Sequence, residues 1–117
     1  MNILRFKAPA HVELVTPGVT SGLFTTVLTR DVKVINAFSF GGEGTVDTST
    51  FQVYTTHSGS RHNITGVSPL RANEMTHVST LTHSETILRT GWTLGIDVQG
   101  SAQANVYVWV IPLPKPA

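Results

Sequence analysis

Five histidines, His11, His57, His62, His77 and His83, are the first side chains whose chemistry needs testing. A metal site requires ligands that converge on one ion at about 2 Å. Two ligands on one strand must stand two residues apart to share a face, and no histidine pair does. His77 and His83 have the same parity, but six residues at about 3.3 Å rise hold them roughly 20 Å apart. His57 and His62 flank a loop and can converge, yet no carboxylate lies near them in sequence. The pattern predicts exposed loop or strand histidines, with no metal and no other cofactor.

Nucleophilic chemistry has as little support. Ser58, Ser60 and Ser68 lie near glycines, but no Gly-x-Ser-x-Gly elbow occurs, nor the strand-to-helix context it requires. Asp31, Asp47 and Asp97 would join a triad only if the fold brought them together. A carboxylate pair of the glycosidase kind is set by space rather than spacing, and nothing in the sequence favours one. Gly41-Gly-Glu-Gly44 has the look of a phosphate loop, but no helix comes after it to present its N–H groups. It reads instead as a strand connection that uses positive φ. No catalytic residue is assigned and no enzyme is expected.

The aromatic residues discriminate better. From Trp92, the positions Trp92, Leu94, Ile96 and Val98 alternate with Thr93, Gly95, Asp97 and Gln99, the mark of a strand with one dry side. From Ala104 to Ile111, Val106, Val108 and Val110 alternate with Tyr107 and Trp109, and both faces are largely apolar. Gln99–Gln103 is a short polar break containing Gly100, so the two arms are expected to pair as an antiparallel hairpin. Trp92, Leu94, Ile96, Val98, Val106, Val108 and Val110 form the expected core, with Trp92→Ala costing about 3–5 kcal/mol. Tyr107 and Trp109 point the same way. They either pack under the N-terminal segment (Ile3, Leu4, Phe6), meet another subunit, or stack on a sugar ring.

These elements sit in a chain of 117 residues, one domain's worth, with a net charge of +1 and no cysteine. Disulfides and thiolate-held metals are thereby excluded. The near-zero charge gives no basic field for nucleic acid. The longest apolar stretch, Val106–Ile111, is far too short to span a membrane as a helix. Met1–Lys7 lacks the apolar core of a signal peptide.

The remaining segments read as short strands between Gly, Ser, Pro and Asn breaks. Met1–Ala10 is an extended arm or an edge strand. His11–Val15 ends at Thr16-Pro17-Gly18. Leu23–Thr29, Val32–Phe40, Thr50–Thr56, His62–Val67 and Met75–Thr82 come next. In the second of these, Val32, Val34, Phe38 and Phe40 are expected on one face and Lys33, Ile35, Ala37 and Ser39 on the other. Thr82-His-Ser-Glu85 has capping-box spacing, but Thr86-Ile-Leu-Arg-Thr-Gly91 after it is too short and too β-branched for a helix. The expected fold is all-β, an antiparallel β-sandwich, jelly-roll-like, of seven to nine short strands. An arm (1–10), a sandwich (11–111) and a tail (112–117) divide the chain.

The layout from about Asp31 onward resembles a β-sandwich that recurs in bacteriophage virions, in decoration, head-fibre and tail proteins. The likeness rests on Val32-Lys-Val-Ile-Asn-Ala-Phe38, Gly41–Thr50, Phe51-Gln-Val-Tyr54 and Ser58-Gly-Ser60. It ends with Ile87-Leu-Arg-Thr-Gly-Trp-Thr-Leu-Gly-Ile-Asp-Val98, Gly100 and Val106-Tyr-Val-Trp-Val110. Where the family pattern has Gly-Asp at the start of its last ribbon, this chain has Gly91-Trp92. The resemblance implies a head-decoration (cement) protein, located in the virion, that binds the major capsid protein and forms a dimer or trimer. Its interface residues would be Tyr107, Trp109, Ile3, Leu4, Phe6 and the proline-held tail Pro112, Leu113 and Pro114. The other reading is a carbohydrate-binding or receptor-binding module, with a glycan on the two rings.

Overall fold

The computed structural model describes residues 3–7, 11–16, 22–46, 48–78, 81, 86–100 and 104–113, the first two segments as backbone alone. Its strands are β1 (Ile3–Lys7), β2 (His11–Thr16), β3 (Gly22–Val27), β4 (Val32–Gly41), β5 (Thr50–His57), β6 (Ser60–Asn63), β7 (Ser68–Pro69), β8 (Met75–His77), β9 (Ile87–Leu88), β10 (Thr93–Gln99) and β11 (Ala104–Pro112). A front sheet runs β1-β2-β11-β4-β8, with β9 also on β4, and a back sheet runs β3-β10-β5-β6, with β7 also on β5. All of these ladders are antiparallel. The halves β2-β11-β4-β8 and β3-β10-β5-β6 have the strand order of a jelly roll, so the chain is an all-β sandwich of that kind.

Alternation explains the two layers. Leu94, Ile96 and Val98 on β10 are buried, as are Val106, Val108 and Val110 on β11, and they meet Phe51, Val53, Val32 and Val34 in one core. Trp92 packs against this core from its edge and is only partly buried, so it stands at the rim rather than inside.

The expected hairpin is not formed. β10 lies between β3 and β5 in the back sheet, whereas β11 lies between β2 and β4 in the front sheet. Two arms with matching dry faces can lie side by side, or face each other across a core about 10 Å thick, and the residue pattern is the same in both cases. What decides is the supply of partners, since each arm has two other strands to pair with.

β4 departs from expectation in a way that sets which side chains lie on the outer face of the front sheet. Its register against β11 slips by one between Trp109 and Val110: Trp109 pairs Asn36, Val110 pairs Val34, and Ile35 is the extra residue of a β-bulge. Val32 and Val34 face the core, but beyond the bulge Ala37 and Ser39 take that role, and Phe38 and Phe40 turn outward. The single face expected for Val32, Val34, Phe38 and Phe40 is therefore split. The Asn36 side chain steadies the irregularity, its Oδ1 accepting the Ala37 N–H at 2.8 Å.

Positive φ is not what the Gly41–Gly44 stretch needs. The left-handed glycines among the described residues are Gly59, Gly91 and Gly100. At Gly41 the constraint is space, because a Cβ would meet the Arg71 carbonyl oxygen at 2.0 Å. The two-residue turn Ser58-Gly59, with φ of 53° and 74°, closes the β5–β6 hairpin.

The N-terminal segment takes the edge-strand form of the two expected for it, and the C-terminus belongs to the sandwich further than expected. β1 is an edge strand, in register from Ile3 opposite Val15 to Lys7 opposite His11. Pro112 closes β11 opposite Val32, the Leu113 N–H donates to the Asp31 carbonyl at 2.9 Å, and Arg30 Nη2 donates to the Leu113 carbonyl at 3.1 Å. Pro112 and Leu113 are thus held against the fold. Pro114 and the rest of the expected tail, like the side chains of Ile3, Leu4 and Phe6, lie outside the described residues.

Candidate partner-binding face

The bulge in β4 creates an aromatic outer face on the front sheet. Phe38 stands opposite Tyr107 on one side and opposite His77 on the other, so three rings cross three strands in one row. The Phe38 and Tyr107 rings stack at 4.8 Å and 19°, and Phe38 and His77 tilt at 5.4 Å and 33°. Trp109, one outward position further along β11, tilts against Phe38 at 6.2 Å. Ile35, Asn36, Phe38, Met75, His77 and Trp109 line an open groove of about 500 Å3. Trp109 remains 41% exposed, and Phe40, Met75 and Ile111 are exposed on the same sheet.

Tyr107 and Trp109 do share a face, and the exposure of Trp109 removes the core reading for it. Cover by the N-terminal segment fails as well. β1 continues the sheet sideways beyond β2, two strands away from β11, instead of crossing over it. Strand parity alone does not bring Phe38, Met75 and His77 to this face. The available signal is the parity break at Asn36, which marks where a strand with misplaced apolar residues must bulge.

The outer face of the back sheet is built differently. Tyr54 lies flat over Gly95, where an added Cβ would come within 2.4 Å of the ring. The Arg61 guanidinium sits 4.1 Å above the ring centroid. Arg61 also donates to Asp97 Oδ2 at 2.8 Å, Gln52 Oε1 at 3.0 Å and Asn63 Oδ1 at 2.9 Å. The tyrosine is 4% exposed, and this burial raises its phenol pKa above the ordinary 10.0. A guanidinium suits this task because its planar fork can stack on a ring and donate in-plane at once.

His57 and His62 do converge, but onto an aromatic stack. Their rings are 4.2 Å apart, and the opposite side of His57 packs 3.7 Å from Trp92. Among the described residues no three His, Asp or Glu side chains gather at one point. His83, Asp47 and the side chain of His11 lie outside those residues. Asp31 acts as a clamp: its carboxylate accepts the Thr90 N–H and hydroxyl at 2.8 and 2.9 Å and pairs with Arg89 at 3.1 Å. The Thr90 hydrogen bonds, aided by Arg89, lower its pKa from the usual 3.8.

The fold and this face define a class: a jelly-roll sandwich with one outer face of open aromatic rings and one closed by its own polar network. No protein-family model matches the chain, and no curated protein does.

Proposed function

We propose that this protein is a non-enzymatic virion structural protein, a bacteriophage capsid decoration (cement) protein that bridges shell subunits. The aromatic outer face of the front sheet seats on the major capsid protein. The observation that carries the reading is the Phe38–Tyr107–Trp109 cluster, with Trp109 41% exposed at the centre of a sheet. Contiguous apolar surface of this kind is the usual mark of a protein contact. The resemblance of the residue layout from about Asp31 onward to phage virion sandwiches suggests the class of partner. A protein that binds the intact shell better than its separated subunits stabilises the shell by mass action. In this reading the protein resides in the virion and needs no cofactor.

Shells of the phage that encodes the chain, mixed with purified protein, provide the test. Saturable co-sedimentation and a raised shell melting temperature are expected, and Trp109→Ser abolishes both. Wild-type protein that ignores the shells overturns the reading.

One observation favours a second reading, a carbohydrate- or receptor-binding module. The groove sets the Trp109 ring beside the hydrogen-bonding side chains of Asn36 and His77, the combination that grips a sugar ring. A glycan-array signal lost on Trp109→Ala, together with no binding to shells, would place this reading first.

A further inference from the structure

We propose that two copies of this chain join through β3, antiparallel about a two-fold axis at Thr25, turning two five-strand back sheets into one of ten. The inference goes beyond the shell-binding reading and does not depend on it, since β3 lies at an edge of the other sheet.

β3 is the open edge least guarded against pairing. Among the described residues its one ladder is with β10. Its sequence, Gly-Leu-Phe-Thr-Thr-Val, holds no charge and no proline, the devices by which edges are normally protected. The other edges differ: β1 carries Arg5 and Lys7, β6 carries Arg61 and His62, β8 has only three residues, and β7 and β9 have two each.

Backbone geometry fixes what β3 offers. The Leu28 N–H donates to the Trp92 carbonyl at 2.8 Å, so Leu28 directs its polar groups toward the β10 side. Peptide groups alternate along a strand, so Phe24 and Thr26 also address β10. Leu23, Thr25 and Val27 then present their N–H and C=O groups on the side away from β10, which no other described strand pairs. Their side chains face solvent, with Leu23 and Val27 each 60% exposed.

These three residues are self-complementary. With Thr25 opposite Thr25 of the other copy, Leu23 falls opposite Val27 of the other copy, and the reverse. Three such pairs exchange about six hydrogen bonds. They also place each exposed leucine beside an exposed valine, a favourable cross-strand pair. The two-fold consumes both β3 edges, so assembly stops at two rather than growing into a fibre.

The absence of native cysteine makes the test direct. In a hydrogen-bonded antiparallel pair the Cα atoms stand about 5.5 Å apart, inside the roughly 4.4–6.8 Å range of disulfides. Thr25→Cys should cross-link into covalent dimers under mild oxidation. Leu23→Cys, about 13 Å along the strands from its counterpart, should do so at least about tenfold more slowly. Wild-type protein should sediment as a dimer at micromolar concentration. Thr25→Lys, which sets like charges face to face, should weaken the dimer about tenfold with an unchanged circular dichroism spectrum. Trp109→Ser should leave the dimer intact, which separates this contact from shell binding. A wild-type monomer at the highest soluble concentration, or equal cross-linking of the two cysteine variants, would overturn the proposal.

Discussion

On the back sheet Tyr54 lies on Gly95 beneath the Arg61 guanidinium and is 4% exposed, whereas on the front sheet Trp109 leans on Phe38 and stays 41% exposed. Both faces bear aromatic rings in the middle of a sheet, and the difference lies in their neighbours. Gly95 leaves a hollow that accepts a ring, and Asp97, Gln52 and Asn63 hold an arginine over it. Apart from Asn36, the outward neighbours of Phe38 are other rings, an isoleucine and a methionine, which widen the open surface instead of covering it. A face whose polar groups are already satisfied by one another gains little from a partner. A face of stacked but open rings gains the transfer of those rings from water, about 25 cal/mol per Å2.

The contrast can be broken most forcefully at Gly95. Gly95→Val drives a side chain into the Tyr54 ring and should cost about 1–3 kcal/mol in urea unfolding, because the ring must leave its seat. The back face would then expose an aromatic ring, as the front face does. Arg61→Ala keeps the seat and removes the lid. Its ion pair is partly solvent-exposed, so the loss should be about 0.5–1 kcal/mol, read from the same unfolding curves. On the front face Trp109→Ser should cost about 0.5–1 kcal/mol, the worth of its contact with Phe38, while abolishing the proposed shell binding. A large stability loss there would mean that the ring serves the fold rather than a partner.

The smallest effect is a titration. Tyr107→Phe leaves Tyr54 as the one tyrosine, and its phenolate absorbance should appear above the ordinary 10.0 because burial disfavours the charged form. The fold favours the protonated phenol, so this contribution to stability is complete below the unfolded pKa and is lost as pH rises through the folded one. Phenolate appearing at or below 10.0 would indicate that the ring is not seated on Gly95.

Much of this architecture was legible from residue order. Period-two alternation located β4, β5, β10 and β11, and the dry positions Leu94, Ile96, Val98, Val106, Val108 and Val110 are those found in the core. That Tyr107 and Trp109 share a face followed from their spacing alone. Trp92 shows where such reading stops. Parity gives the side on which a ring lies, but not how near the sheet's end it falls, and this ring stands at the rim, stacked on His57.

The sequence by itself determined which residues of each strand are dry, because the backbone pleat imposes that alternation locally. Only the tertiary structure decided that β10 and β11 lie in opposite sheets, since partner choice depends on strands far away in sequence. It also decided that Ile35 bulges, turning Phe38 and Phe40 outward to meet Tyr107 and Met75. An extra residue is accommodated against a neighbouring strand, and a strand read alone has no neighbour to be out of step with.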